Sequence, residues 1–372
     1  MTTEPSQAMR PARAAQLQSI QALRAIAALL VVFGHAAHES ETIAERIGLA
    51  PLHTSFLHSG GGVDIFFVIS GFIMVHTSAG LFGQPGAWRT FLTRRIVRIV
   101  PLYWLLTSLL LIGSLFLPQL LNVPIGDWRH ILASYLFLPS LRGGYEIRPV
   151  MALGWTLNLE MLFYLLFAAA MLLPLRRGMF ALSCVLVALA LIGAAFQPSQ
   201  VQLAFWTQAI ILEFLFGCLL ALLYRQGFRL PAVAAAASVT LGLAALLKWP
   251  GVDDPSWLPQ VLRLGLPAAL IVGGAALYDG AAPRLVLPLA VVGDASYSLY
   301  LFHPFALRPL RDVWVRVVGT NLPLEVYMVV AVAVATLSAM LLYRLVERPL
   351  TIWFKRPSHR DGDTHRSIYP AA

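Results

Sequence analysis

Two ionisable residues, Arg24 and His35, lie inside the first apolar stretch of the chain, QALRAIAALLVVFGHAAHES. Ionisable groups are costly in hydrocarbon, and their default reading there is a functional site. On a helix, the step of 11 residues from Arg24 to His35 makes three turns plus about 20° and rises about 16 Å. The two side chains therefore share one face at different depths. That layout suits a site that holds a long ligand at one end and does chemistry at the other. Snorkelling of the two groups to opposite interfaces is the plainer alternative.

Further polar residues interrupt other apolar stretches. Asp64, in GGGVDIFFVISGFIM, enters at a depth similar to His35, where a carboxylate can fix the tautomer of an imidazole; a helix cap is its structural alternative. Glu160, in LGWTLNLEMLFYLL, has Tyr164 one turn further on its face. A carboxylate among Leu and Phe must be paired, protonated or turned to a polar cavity. Ser296, Tyr300 and His303, in GDASYSLYLFHPF, follow i, i+4, i+7 spacing and form a polar stripe suited to substrate, with Pro304 marking the end of the span. Arg94, Arg95 and Arg98, in WRTFLTRRIVRIVPLYW, fall within a turn of the membrane edge. Guanidinium forks grip phosphates there, although basic runs also simply anchor the inner side of a membrane protein.

The elements that must position these groups follow from composition. Of 372 residues, 58% are hydrophobic and 12% charged, against about 25% charged for soluble domains. The chain reads as an all-α polytopic membrane protein with about ten transmembrane helices, near 20–37, 60–80, 99–121, 151–174, 179–196, 203–224, 231–247, 258–279, 284–306 and 323–346. Lys and Arg concentrate in alternate connections, which places both termini in the cytoplasm. The domain plan is a cytoplasmic tail over 1–19, one membrane domain over 20–347, and a polar tail over 348–372 without helical periodicity, expected to be disordered.

The net charge of +9 is spread along membrane edges with no aromatic-interleaved module, which argues against nucleic acid and for the lipid bilayer and an anionic ligand. Cys184 and Cys218 are far apart in apolar spans, so neither a disulfide framework nor a CxxC metal site is indicated. No P-loop, HExxH, Rossmann fingerprint or GxSxG elbow is present, so catalysis calls for a base and no metal. A rival class is a transporter or flippase of lipid-linked sugars, with the buried His, Asp and Glu as a proton relay.

The strings LRAIAALLVVFGHA, GGGVDIFFVISGFIM, FLTRRIVRIVPLYW, LGWTLNLEMLFY, GDASYSLYLFHP and VERPL, in this order, resemble membrane-bound acyltransferase family 3, and within it the branch that acetylates bacterial exopolysaccharides. The resemblance implies transfer of an acyl group, usually acetyl, from cytoplasmic acyl-CoA to a sugar hydroxyl, with acetyl-CoA a donor substrate and no tightly bound cofactor. Arg24 and His35 match the family's Arg-x10-His motif, His35 being the expected catalytic residue. Arg95 and Arg98 match its basic pair. Glu160 matches the acid of its Trp-x-Leu-x-x-Glu motif, where this chain has Thr156 and Leu159 in place of the usual Ser and Val. The resemblance further implies that phosphates sit on Arg94, Arg95 and Arg98 while the pantetheine arm threads along the first helix past Arg24. His35 then acts as general base or carries the acyl group itself, oriented by Asp64 or Glu160. Some relatives carry an extra esterase-like domain, and this chain is expected to work as a lone membrane domain. A polysaccharide or lipid-linked sugar is the implied acceptor; a lipid headgroup, peptidoglycan or an antibiotic are alternatives, and a homo-oligomer is left open.

Overall fold

The computed structural model describes residues 9–52, 60–116, 127–144, 146–248, 260–280 and 286–355, with backbone alone for 9–17. Fourteen helices are present among them. In chain order they are α1 Met9–Ile47, α2 Gly61–Ser78, α3 Ala87–Phe116, α4 Trp128–Tyr135, α5 Trp155–Ala170, α6 Leu175–Phe196 and α7 Val201–Trp206. There follow α8 Leu212–Arg225, α9 Ala232–Lys248, α10 Leu266–Leu277, α11 Val286–Asp294, α12 Ser296–Val313, α13 Leu324–Leu342 and α14 Arg348–Lys355. The strands among the described residues, β1 Leu141–Arg142 and β2 Glu146–Ile147, form one short antiparallel hairpin. The chain is an all-α membrane protein.

Among the described residues, six segments are long and apolar enough to cross a bilayer unaided, and two shorter apolar helices, Ala232–Leu247 and Val261–Leu277, accompany them. The expected span at 203–224 is broken into α7, a 3-10 turn Ala209–Ile211 and α8. The expected span at 284–306 is likewise two helices hinged at Ala295. Pro304 does not end the second of them. Helix α12 runs on through Pro304 and Pro309 to Val313 and a π-turn, Trp314–Val318. Each proline removes one backbone donor, and a π-turn is one of the local adjustments by which a membrane helix re-satisfies freed backbone groups.

Part of each expected tail is helical. Helix α1 begins at Met9, inside the tail assigned to 1–19, and with 39 residues it is about 58 Å long, nearly twice the roughly 30 Å hydrocarbon core. Residues 348–355 are helical, not disordered: a π-turn, Tyr343–Glu347, carries α13 directly into α14, which packs on α3. The rest of the C-terminal tail, 356–372, and residues 117–121, 258–259 and 284–285 of three expected spans lie outside the described residues.

Helix α2 is the centre of the bundle. About 67% of its apolar stretch is buried inside the protein, against 22% for α6, which lies at the periphery. It packs on α1, α8 and α10. A second core of Ala28, Val32, Ala36, Leu299, Ala331 and Ala335 joins α1 to α12 and α13. At one end of the bundle an ion-pair chain fastens α1 to α12, with Arg311 on Glu39 at 2.7 Å and Arg46 on Asp312 at 3.0 Å.

The hairpin holds its shape through Glu146, which accepts from Arg142 at 2.6 Å and from Arg148 at 2.9 Å. Arg148 in turn lies 5.5 Å from the centroid of the Trp155 ring, at the start of α5. Slight burial pushes the Glu146 carboxyl up, but the two arginines outweigh it and hold it below the usual carboxylate range. Its contribution is therefore fully present above the unfolded value of 4.5 and is lost as pH falls through the lower folded value. Hydrogen exchange from Arg142 to Arg148, corrected for intrinsic rates, should rise on acidification in the native chain. The same rise in Glu146→Gln would show that another group is responsible.

Candidate active site

The polar residues gather into three adjoining places. The first is a narrow cavity of about 90 Å³ bordered by Arg24, Ser70, Arg95, Arg98, Glu160 and Ser296, with Tyr164, Tyr297 and Tyr300 in its walls. Arg24, from α1, donates from Nε to Ser296 Oγ at 3.1 Å. Glu160, from α5, accepts from Ser70 Oγ at 3.1 Å and from the Tyr164 hydroxyl one turn away. The tyrosine therefore bonds the carboxylate, as the i, i+4 spacing allows. Arg95 lies half-buried with Nε unpartnered, and its guanidinium is 5.7 Å from the centroid of the Phe91 ring. Three guanidinium groups face one carboxylate in this space, an imbalance that an anionic ligand would relieve.

The second place is an open basin of about 1290 Å³ at the end of the bundle. Arg89, Arg94, Arg95, Arg98, Arg348 and Lys355 border it, against Asp294 and Glu347. Both acids are engaged: Gln21 donates to Asp294 at 2.7 Å, and Ser298 donates to Glu347 at 2.6 Å. Among the described residues, no carboxylate is in ion-pair contact with Arg24, Arg94, Arg95 or Arg98. Arg95 and Arg98 border both basin and cavity, so the two spaces meet at these residues.

The third place is a histidine pair. His35 on α1 and His303 on α12 have ring centroids 4.8 Å apart at 60°. Nδ1 of His35 faces the Val31 carbonyl oxygen at 2.9 Å, and Nδ1 of His303 faces that of Leu299 at 3.0 Å. A carbonyl oxygen only accepts, so in each neutral ring Nδ1 carries the hydrogen and Nε2 is a bare lone pair. His303 is fully buried with Nε2 unpartnered, whereas His35 is exposed. An exposed imidazole with a free Nε2 is the form a general base requires.

The stripe on α12 therefore stitches the places together. Ser296 meets Arg24 in the cavity and His303 meets His35. Between them the Tyr300 hydroxyl lies 3.1 Å from Thr156 Oγ1 and donates to the Leu153 carbonyl at 3.2 Å. Tyr300 borders the cavity while His303, three residues on, does not, so the cavity stops about one helical turn short of the histidines. Phe66, edge-on to Tyr300 at 5.9 Å, stands at the same end.

Two expectations are corrected here. Neither Asp64 nor Glu160 orients His35: the Nδ1 position is taken by the backbone of α1 itself, and Glu160 is engaged by Ser70 and Tyr164. Asp64 is 1% exposed and its carboxyl faces Glu213 of α8. Glu213 escaped the sequence reading, although an acid inside IILEFLFGCLL is the same signal that singled out Glu160. Glu347, Arg348 and Lys355 were also missed as site residues, because no periodicity in sequence brings the end of α13 beside α3.

The sequence profile of an acyltransferase domain matches residues 17–344. The exopolysaccharide production protein ExoZ of Rhizobium meliloti (strain 1021) is 33% identical over 302 residues, covering 79% of this chain and 90% of that protein. The acyltransferase MdmB of Streptomyces mycarofaciens is 29% identical over 329 residues, covering 80% of this chain and 81% of its own. The peptidoglycan O-acetyltransferase OatA of Listeria monocytogenes is 25% identical over 370 residues, covering 89% of this chain and 55% of that protein. No solved structure matches the chain. A profile that spans the bundle from α1 into the π-turn after α13, with every group of the cavity and the histidine pair inside it, makes the chain a member of acyltransferase family 3.

Proposed function

We propose that this membrane acyltransferase moves an acetyl group from cytoplasmic acetyl-CoA to a hydroxyl of a bacterial exopolysaccharide or of its lipid-linked oligosaccharide precursor, with His35 as general base. The observation that carries this reading is the junction of basin and cavity at Arg95 and Arg98, with the cavity pointing at the histidine pair. A CoA thioester is long, with phosphates at one end and the reacting carbon at the other, and the site is polarised in the same way. The phosphates rest on Arg94, Arg95 and Arg98. The pantetheine arm passes Arg24 and Ser296 toward Tyr300, and Phe66 and Tyr300 must part for the thioester to reach His35.

His35 Nε2 takes the proton of the acceptor hydroxyl as its oxygen forms the bond to the thioester carbon. The carbon–sulfur bond then breaks, and the CoA thiolate recovers that proton from His35. Glu160, held by Ser70 and Tyr164, balances part of the guanidinium charge in the cavity. Ser296 and Tyr300 contact the donor, and Asp64 acts on the packing of α2 against α8. In this reading the basic end faces the cytoplasm, with both termini there and ten crossings of the inner membrane, four of them in shorter or broken helices.

The similarity to ExoZ favours an exopolysaccharide acceptor. Membranes containing the protein should move label from radiolabelled acetyl-CoA into cell-surface polysaccharide, and membranes without it should not. Label in peptidoglycan or lipid would keep the chemistry and change the acceptor. Absence of label from every fraction, with folded protein present, would overturn the reading and favour export of lipid-linked sugars.

A further inference from the structure

The basin has more cationic groups than a pyrophosphate needs, and they stand on two walls. One wall is α3, with Arg89, Arg94, Arg95 and Arg98; the other is α14, with Arg348 and Lys355. Six cations against the two carboxylates of Asp294 and Glu347 leave an excess of four positive charges. The order of the groups along the path matters as much as their number. Arg95 and Arg98 are at the mouth of the cavity, whereas Arg89 and Arg94 on one wall and Arg348 and Lys355 on the other border the basin alone, the second pair beside Phe354. In a CoA thioester the pantetheine is joined to the pyrophosphate, and the ribose with its 3′-phosphate and adenine lies beyond. With the arm in the cavity, the pyrophosphate meets the mouth arginines and the nucleoside end lies in the outer basin. Phe354, about half exposed and bordering the same space, offers a face for adenine.

We infer that Arg348 and Lys355 of α14 form a subsite for the 3′-phosphate of the donor nucleotide, so that the enzyme selects 3′-phosphorylated CoA thioesters over their dephospho forms. This rests on the reading of CoA as donor. A phosphate monoester carries about −1.5 to −2 at neutral pH, more than either pyrophosphate group, and so gains most from two unpaired cations. The π-turn Tyr343–Glu347 sets this wall in place, since it carries the chain from α13 onto α3 with Glu347 turned inward to Ser298 and Arg348 and Lys355 in the basin.

The experiment is competition of CoA and dephospho-CoA against radiolabelled acetyl-CoA on the purified full chain in lipid nanodiscs, which needs no acceptor. The native protein should bind CoA about tenfold or more tighter than dephospho-CoA, the scale of one charge-assisted hydrogen-bonded contact. In Arg348→Gln/Lys355→Gln that ratio should collapse toward one. In Arg95→Gln/Arg98→Gln both ligands should weaken together with the ratio preserved. Equal binding of the two ligands by the native protein, or a ratio unchanged in the α14 variant, would overturn the subsite and leave CoA as donor intact. No binding of labelled acetyl-CoA to folded native protein would instead overturn the donor assignment itself. Preserved melting temperature in the α14 variant separates lost recognition from lost folding.

Discussion

His35→Ala should lower acetyl transfer by about 10²–10⁴-fold, the range a positioned general base contributes, while leaving binding of acetyl-CoA within about twofold. A change of that size corresponds to roughly 2.7–5.4 kcal/mol of transition-state stabilisation. The imidazole has no substitute in its neighbourhood. His303, its ring centroid 4.8 Å away, is fully buried, Glu39 one turn further along α1 is paired with Arg311, and Glu160 is engaged by Ser70 and Tyr164. The fold should survive, since His35 is exposed and its one hydrogen bond is to its own helix. The donor should still bind, because no arginine of the basin or cavity touches the ring. Transfer is measured with labelled acetyl-CoA and binding with the protein in nanodiscs. Near-native turnover in His35→Ala would remove His35 as the base. If the native protein, acid-quenched without acceptor, carries label that His35→Ala lacks, the acyl group passes through the imidazole itself, and direct attack by the acceptor is wrong.

How far the sequence spoke for the site depended on the kind of information each residue carries. Arg24, His35 and Glu160 were legible because a polar group in a hydrocarbon-length apolar run has few cheap explanations. The stripe Ser296, Tyr300, His303 was legible because helical periodicity alone fixes a common face, and all three turn inward. What periodicity omits is the neighbour. Asp64 was paired with His35 on depth alone, yet depth says nothing about azimuth, and α2 turns that carboxyl toward α8. The tautomer of His35 needed no acid, because a helical backbone already supplies a carbonyl at i−4. The spans at 203–224 and 284–306 read as single helices, since hydropathy averages across a hinge such as Ala295. The polar run after 348 read as tail because its eight helical residues derive order from packing on α3 and not from a pattern of their own.

Gly217→Val should leave little folded protein, and Gly71→Val should do the same from the other side of one contact. Helices α2 and α8 cross with these two glycines facing opposing backbone. A Cβ at Gly217 would lie 1.9 Å from the Val68 carbonyl oxygen and 2.7 Å from the Phe72 nitrogen, and one at Gly71 would lie 2.0 Å from the Phe214 carbonyl oxygen. Side chains can rotate away from a clash, but these atoms move only if the helices separate. Overpacking in a dense core costs about 1–3 kcal/mol even where side chains can adjust, so a clash with backbone on both sides should exceed the upper figure. The damage also reaches the chemistry, because α2 carries Ser70 to Glu160 and Phe66 to Tyr300. A separation that spares folding would open the 3.1 Å bond from Ser70 to Glu160. Gly80→Ala is the matched control, since a Cβ there meets nothing within 4 Å. Thermal unfolding in detergent, read by size-exclusion chromatography, should show loss of the monodisperse peak in both valine variants and a native profile in Gly80→Ala. A native melting temperature in Gly217→Val would mean that α2 and α8 do not cross through these glycines, and the placement of Asp64 against Glu213 would fall with that crossing.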